Sequence, residues 1–253
     1  MIVAQISDTH LCLDCEDAGR RAADFADTVA DINALDPLPD LVVHTGDVVH
    51  NGREDEYRAA AEILARARPP VFAIPGNKDR RTAMRAELSR FARFEAGNPF
   101  LDYAVDDFPI PLIALDTLDE AGNKGDFCDA RRRRLAALIA ARPAGPVIAF
   151  AHHPPFEVLV GPDRWHFVEQ AAADRLTGEL LRSGRVTGLF CGHVHRPFET
   201  RIGDIQGMVM PCVATTLRRG EYPARVATRP IYYIHRFDAS GAFSTEARVV
   251  PQT

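Results

Sequence analysis

Short apolar runs alternate with amphipathic segments along most of the chain, and the two periods predict different elements. Runs with the length of buried strands occur in "IVAQIS", "LVVHTG", "VFAIPG", "IPLIALDT", "PVIAFAHH" and "VTGLFCGHVH". Helical patterns cover 18–35, 54–67, 79–95, 129–142 and 166–183. Strands that alternate with helices in this way predict an α/β fold.

The pattern changes after residue 197, where only strand and turn signals follow. No linker rich in Pro, Gly or Ser and no repeat of fixed period interrupts the chain, so a single domain over 1–253 is the simplest prediction. The strand-rich part at 198–253 either caps a pocket or forms a dimer contact. Its apolar "IYYIHRF" suits a sheet edge or an interface, which favours a homodimer.

Composition limits the classes of partner. The chain has 253 residues, 46% of them hydrophobic, which is enough for one sizeable core. Its net charge of -5 argues against general binding to nucleic acid or to an anionic membrane, and the run of arginines at 131–134 is typical of a solvated helix face. No apolar stretch approaches the roughly 18 residues of a membrane span. A phosphate-bearing partner would therefore be held locally.

The cysteines favour a reducing compartment. Five of them, an odd number, do not form the pattern of a disulfide framework, so a cytoplasmic location is expected. The first residues begin directly as a strand and lack the pattern of a leader. Cys12 and Cys15 have the spacing of a metal or redox pair, but no second pair follows to complete a site.

Polar residues collect at the carboxyl ends of five predicted strands. In open α/β sheets this edge binds ligands, because the loops that leave it can converge. The residues that follow these strands are Asp8, His10, Asp47, Asn77, His152, His193 and His195.

Spacing adds a second constraint. Asp8 and His10 are separated by one residue, as are His193 and His195, and residues i and i+2 of an extended chain point to the same side. Each pair can therefore clamp one ion. Glycines at 46, 76 and 192 each precede a candidate ligand, where the missing Cβ allows a sharp turn and a close approach.

The joint pattern predicts a dinuclear metal site. A single histidine at a strand end is usually structural, but seven such residues on one rim favour a shared ligand role. Carboxylates, an amide and imidazoles without thiolate suit Mn, Fe, Co or Zn ions. Seven ligands are too many for one tetrahedral ion, whereas two ions bridged by one carboxylate would use them all. A bridging hydroxide would then be the nucleophile.

The motifs "DTH", "GD", "GN", "HH" and "GHVH" resemble those of the calcineurin-like metallophosphoesterases. The segments "HTGDVVHNGREDEY", "IPGNKDRR", "FAHHPP" and "FCGHVHRP" are similar to the bacterial branch that contains class III cyclic nucleotide phosphodiesterases and glycerophosphodiesterases. The resemblance runs from residue 1 to about 200. It implies a four-layer α/β/β/α sandwich, in which 198–253 completes the second sheet.

The resemblance also implies a ligand set and a reaction. The first metal would take Asp8, His10, Asp47 and His195. The second would take Asp47, Asn77, His152 and His193, so that Asp47 bridges. The activity implied is metal-dependent hydrolysis of a small phosphodiester, with Asp47, Asn77 and Lys78 as catalytic residues.

Lys78 is the departure from the family pattern, which usually has histidine after Gly-Asn. Lysine keeps a positive charge near neutral pH and can neutralise a phosphoryl oxygen, but it is a poor proton donor there. We predict that Asn77 and Lys78 contact the substrate; the alternative is that Lys78 faces solvent. His50, in the loop after Asp47, is a further candidate for substrate binding.

Four histidine and arginine positions near the motifs are predicted to lie outside the ligand set. His153 is predicted to be structural, because strand alternation turns it away from the metals. His44 is expected to be a hydrogen-bonded core residue. Arg80 and Arg196 follow candidate ligands and either supply charge to the rim or lie exposed.

Two other functions stay open. A phosphomonoesterase or nuclease could use the same scaffold, and the rank order of substrates would separate these from a phosphodiesterase. The other hypothesis is a metal-binding scaffold without catalytic activity, for which Lys78 is the sole indication. All the ligand positions are filled, whereas a protein that had lost catalysis would be expected to lose ligands as well.

Overall fold

The computed structural model describes residues 1–251, and its elements follow the predicted alternation. Its strands are β1 (Ile2–Ile6), β2 (Leu41–His44), β3 (Val71–Ala73), β4 (Tyr103–Val105), β5 (Leu112–Ala114), β6 (Val147–Phe150), β7 (Val186–Cys191), β8 (Phe198–Ile202), β9 (Ile205–Val209), β10 (Ile231–Phe237) and β11 (Phe243–Val249). Its helices are α1 (Ala18–Asn33), α2 (Glu54–Leu64), α3 (Arg81–Glu87), α4 (Asp129–Ala140), α5 (Gln170–Ser183) and α6 (Ala224–Ala227), with a 3₁₀ turn at Ser89–Phe91.

The strands form two mixed sheets. One has the order β11-β10-β1-β2-β3 and the other the order β4-β5-β6-β7-β9-β8. β1, β2 and β3 run parallel, as do β5, β6, β7 and β9. In register, Ile6 lies opposite His44, and His44 lies opposite Ala73, so the parallel strands of the first sheet end together.

The two sheets pack face to face and helices cover their outer faces. Between the sheets, the Phe190 ring of β7 stacks on His235 of β10, with centroids 4.0 Å apart. α1 and α2 pack Phe25 and Tyr57 into the same buried cluster as β1–β3. α4 and α5 pack their apolar side chains against the second sheet. These are the four layers of the predicted α/β/β/α sandwich.

Two predicted helices differ in extent. The helical pattern over 79–95 is realised as α3 and the separate 3₁₀ turn, because Leu88 leaves the helical region with φ -109° and ψ 15°. The helix predicted from 166 begins at Gln170. The preceding backbone is extended, because Gly125 N donates to His166 O and Val168 N donates to Gly125 O.

The C-terminal part divides between the sheets. β8 and β9 extend the second sheet beside β7, but β10 and β11 join the first sheet, so the part at 198–253 does not complete the second sheet as a whole. β10 pairs antiparallel with β1, which otherwise would leave one row of its backbone groups unpaired. The segment "IYYIHRF" is therefore an interior strand between β11 and β1 and not the predicted sheet edge. The boundaries of the single domain over 1–253 stay a prediction.

Cys12 and Cys15, which have the spacing of a metal or redox pair, form a disulfide. They are three residues apart on the turn after β1, so local geometry brings them together. Cys128, Cys191 and Cys212 are free. Within residues 1–251, the helices are all too short or too polar to cross a membrane.

Candidate metal centre

The loops that leave β1, β2, β3, β6 and β7 converge where the two sheets meet. Backbone hydrogen bonds fix their approach: Asp8 N donates to Gly46 O at 2.9 Å, and Gly192 N donates to His152 O at 3.1 Å. The structure thus brings together the polar residues that the sequence placed at five separate strand ends.

Backbone strain marks most of these residues. Among residues 1–251, the non-glycine residues with positive φ are Asp8 (54°), His10 (43°), Asp47 (52°), His193 (71°) and His195 (59°). All five belong to the predicted ligand set. Each such residue costs of order 1–3 kcal/mol and persists where the surrounding structure demands it. Here the left-handed turns aim side chains from the strand ends at a common point.

One cluster combines Asp8, His10, Asp47 and His195. His10 Nε2 lies 3.1 Å from His195 Nε2, which in turn lies 3.2 Å from Asp8 Oδ1. His10 Nε2 also lies 3.5 Å from Asp47 Oδ2. All four residues are buried, and their ligand atoms lie within 4.8 Å of one another. Separations of about 3 to 4 Å are those of donors that share one ion.

A second cluster surrounds Asn77. Its Oδ1 lies 3.1 Å from His152 Nε2 and 2.9 Å from His193 Nδ1. His152 Nε2 is also 3.5 Å from Asp47 Oδ2. The same oxygen of Asp47 therefore lies 3.5 Å from a ring nitrogen in each cluster. This position between the clusters is where a bridging carboxylate would lie.

Backbone carbonyls orient two of the imidazoles. His152 Nδ1 lies 2.8 Å from Thr45 O, and His195 Nδ1 lies 2.9 Å from Leu217 O. Because a carbonyl only accepts, each Nδ1 carries the proton and each Nε2 faces the cluster. Histidines that bind metals in proteins are held in this way. The donor set thus fits first-row metal ions.

The charges of the clusters are strongly coupled. Burial lowers the pKa of His10 to about 3 and holds that of His193 well below its usual range. Burial also opposes the charge on His152, but attraction to Asp47 raises its pKa to about 9. Burial by itself raises the pKa of Asp47, but the imidazoles of His152 and His10 outweigh it, so this pKa lies well below the usual range. The carboxylate is ionised and can meet a cation.

The sequence predicted that glycines beside the candidate ligands allow a close approach to an ion. In the structure, the groups that approach Gly76 and Gly192 closely include other candidate ligands, Asp47 and Asp8. A Cβ on Gly76 would lie 2.3 Å from Asp47 Oδ1. A Cβ on Gly192 would lie 2.0 Å from Ser7 Oγ and 2.5 Å from Asp8 Oδ2. Side chains at these positions would displace the carboxylates.

Asp79 ties the β2 and β3 loops together. Its carboxylate accepts hydrogen bonds from Gly76 N at 2.8 Å, Val48 N at 3.2 Å and the Tyr57 hydroxyl at 2.8 Å. Burial, with repulsion from Asp47, raises its pKa to about 7. Asp79 is not among the residues predicted from the sequence; its place directly after Lys78 in the "GNKD" turn was the available signal.

Lys78 uses its backbone and side chain differently. Its amide donates to Asp47 Oδ1 at 2.7 Å, while its Nζ lies 3.4 Å from Asn123 Oδ1. The side chain is half-buried and lines the cavity in front of the clusters. It does not extend away from the site.

A cavity of about 420 Å³ opens over the clusters. Besides Lys78 and ligand candidates, its lining includes residues that the sequence analysis did not identify: Asn123, Lys124, Asp163, His166 and Arg219. Arg196, which the sequence placed behind a candidate ligand, also lines it. One signal was present: the chain contains only two lysines, and both follow Gly-Asn, in "GNKD" and "GNKG".

The remaining histidines lie near the clusters in different environments. His50 Nδ1 is 3.4 Å from His10 Nδ1, and His50 lines a second opening beside Lys78. His153 is buried and its Nδ1 lies 2.8 Å from Thr117 Oγ1, although its ring is also 4.6 Å from that of His193. His44 is buried in β2 with its Nε2 2.9 Å from Thr9 Oγ1, as a hydrogen-bonded core residue would be.

Residues 1–197 match the family described as calcineurin-like phosphoesterase. Over 204 residues the chain is 34% identical to a probable glycerophosphodiester phosphodiesterase, GpdQ, of Arcobacter nitrofigilis. This alignment covers 78% of the chain and 72% of the relative. Over 206 residues it is 33% identical to a probable cyclic nucleotide phosphodiesterase of Rhodopseudomonas palustris, covering 76% of this chain and 70% of the relative.

Solved structures share the fold at low sequence identity. A dimetal phosphatase from Danio rerio superposes with a TM-score of 0.71 at 15% identity, over 93% of this chain and 92% of that one. The two-sheet architecture therefore recurs in a protein with few residues in common.

Proposed function

We propose that this chain, which belongs to the calcineurin-like phosphoesterase family, hydrolyses a small phosphodiester, either a glycerophosphodiester or a cyclic nucleotide. The names of the two relatives described above refer to these two classes of substrate. The observation that carries the proposal is the position of Asp47 Oδ2, 3.5 Å from a ring nitrogen in each of two buried clusters. One carboxylate between two sets of N and O donors suits a dinuclear site.

The ligand assignment follows the two clusters. Asp8, His10, Asp47 and His195 would hold the first ion. Asp47, Asn77, His152 and His193 would hold the second. When bound, such a pair activates water as the nucleophile and polarises the phosphoryl group as a Lewis acid. Mn, Fe, Co and Zn ions suit these donors.

The chain's own residues have distinct tasks at this site. The Lys78 amide fixes Asp47 Oδ1, which leaves Oδ2 toward both clusters. The Lys78 ammonium, on the cavity wall, would neutralise a phosphoryl oxygen as charge develops in the transition state. Asn77 and His50 also line openings beside Lys78 and would contact the substrate.

The alternative functions differ in what they require of the cavity. A phosphomonoesterase or nuclease would use the same clusters, so only the rank order of substrates separates them. A silent scaffold would not need a complete set of donors, and every predicted ligand lies in one of the two clusters. The complete set favours an active enzyme.

A small phosphate ester is the proposed partner. The cavity of about 420 Å³ accommodates a molecule of that size, and the net charge of -5 argues against general binding to nucleic acid.

We also propose a cytoplasmic location and a homodimer. The single disulfide closes a turn of neighbouring residues, and it does not have the character of a framework that staples a secreted domain.

Replacement of Asp47 tests the dinuclear site. We expect Asp47→Ala to reduce bound metal from two ions per chain and to abolish hydrolysis of bis(p-nitrophenyl) phosphate, because both clusters lose a shared donor. Asp27→Ala, at an exposed position on α1, is the matched control and should change neither quantity. Retained hydrolysis by Asp47→Ala would contradict the proposal. If the unaltered chain binds two metals but hydrolyses no diester, the result would favour the hypothesis of a catalytically silent scaffold.

A further inference from the structure

The two lysines of the chain lie in the same cavity. Of 30 lysine and arginine residues, only Lys78 and Lys124 are lysines, and both line the opening over the metal clusters. Lysine presents a compact charge with three rotatable donors, whereas the planar guanidinium of arginine matches carboxylate and phosphate with two donors at once. The cavity combines both kinds of cation, because Arg196 and Arg219 line it as well.

Tight packing fixes the position of Lys124. The next residue, Gly125, donates from its N to His166 O at 2.8 Å and accepts from Val168 N at 2.9 Å. A Cβ on Gly125 would lie 2.8 Å from the buried ring of His153, so the backbone lies directly on that ring. The lysine thus projects from a segment that is anchored beside the second cluster.

Lys78 and Lys124 line the same cavity. Asn123, which precedes Lys124, accepts at Oδ1 from Lys78 Nζ and from Asn77 Nδ2, each at 3.4 Å. The segment that carries Lys124 therefore contacts Lys78 and the second cluster through Asn123.

The cavity carries more positive charge than a simple diester needs. Lys78, Lys124, Arg196 and Arg219 line it, and within residues 1–251 none of them has a carboxylate oxygen within 4.0 Å. Arg196 is half-buried and its Nε has no hydrogen-bond partner there. Outside the metal clusters, the one acid that lines the cavity is the exposed Asp163.

We propose that Lys124, Arg196 and Arg219 form a second anion subsite, so that the substrate is a phosphodiester whose alcohol carries a further carboxylate or phosphate. The inference rests on the proposed function. A diester has one negative charge, which the metal ions and Lys78 meet. The three other cations remain without a counterion, and a second anionic group on the substrate supplies it.

Matched synthetic diesters test the subsite. Propyl, 2-carboxyethyl and 2-phosphoethyl p-nitrophenyl phosphate share one leaving group and differ in the terminal group of the other alcohol, which is neutral in the first and anionic in the other two. For the metal-loaded chain we expect kcat/KM to be about tenfold higher with at least one of the charged diesters than with the propyl diester. The larger of the two ratios identifies carboxylate or phosphate as the second anion. Added salt should reduce the preference.

Variants locate the preference. Lys124→Gln should lower the ratio of charged to propyl diester about threefold, because the amide carries no charge while Arg196 and Arg219 remain. Arg133→Gln, which removes an exposed cation from α4, is the control and should leave the ratio unchanged. A ratio near one in the unaltered chain, or an unchanged ratio in Lys124→Gln, would overturn the subsite while leaving the phosphodiesterase intact. Failure of the metal-loaded chain to hydrolyse any of the three diesters would overturn the proposed function itself.

Discussion

The backbone amide of Lys78 donates a hydrogen bond of 2.7 Å to Oδ1 of Asp47. The contact leaves Oδ2 of the same carboxylate between the two clusters. Because the donor is the backbone, the identity of residue 78 can change without loss of this bond. The side chain and the amide of Lys78 therefore have separable roles.

Lys78→His should separate charge from proton donation. We expect kcat/KM on a cyclic nucleotide to rise about 10²-fold relative to bis(p-nitrophenyl) phosphate, because an imidazole can protonate a poor leaving group. The activated diester has a good leaving group and needs little acid catalysis. Lys78→Met is the companion variant and should lose activity on both esters, because the ammonium charge is gone. Equal loss by Lys78→His on both esters would mean that lysine is fitted to a different phosphate ester.

Gly192→Ala should disrupt the first cluster. The new Cβ would lie 2.0 Å from Ser7 Oγ and 2.5 Å from Asp8 Oδ2, so the carboxylate must move. We expect less than half of the normal metal content, measured by atomic spectrometry. Gly178→Ala within α5 has no atom within 4 Å of its new Cβ and should raise the unfolding free energy by up to about 1 kcal/mol. Full metal loading of Gly192→Ala would contradict the close approach.

Asp79→Asn should loosen the β2 and β3 loops. The carboxylate accepts from three backbone amides and the Tyr57 hydroxyl, whereas an amide can place its NH₂ against those donors. We expect the unfolding free energy to fall by about 1–3 kcal/mol, measured by urea denaturation. Glu62→Gln, at an exposed position of α2, should show no such change. Equal stability of the two variants would show that Asp79 does not hold the loops.

The metal-free chain should be most stable near pH 6.5. The folded pKa of His152 is raised to about 9, so its contribution is complete below the unfolded value of about 6.5 and is lost as pH rises through 9. Burial lowers the pKa of His10 to about 3 and that of His44 to about 4. These residues bind protons more readily when unfolded, so acid below pH 6.5 favours unfolding.

Urea denaturation after chelation of metals measures this profile. His152→Gln should reduce the loss of stability between pH 6.5 and 9, because the raised pKa is absent. Metal binding should displace protons from the same imidazole, so a loaded chain should lose less stability over that range. A profile that rises steadily to pH 9 in the metal-free chain would contradict the raised pKa of His152.

The sequence was most informative where a period carried the signal. Alternation of apolar runs with helical patterns predicted the α/β sandwich. The prediction from spacing that each closely spaced pair would clamp one ion is wrong for His193 and His195, which lie in different clusters because their backbone has positive φ and is not extended. Asp47 was placed between the two clusters by the resemblance of its motif. The extents of α3 and α5 were less accurate, because Leu88 and the extended backbone at 166–168 depend on packing and on Gly125.

The sequence by itself determined which polar groups lie at the ends of five strands. It also determined the α/β fold that brings those strand ends to the same edge. Local periodicity and motif order are sufficient for both. Only the tertiary structure decided that β10 lies inside the first sheet, that Asp79 joins two loops, and that Lys78 and Lys124 line the same cavity. These relationships join residues far apart along the chain. They depend on tertiary pairing of strands and loops, a property that no local pattern encodes.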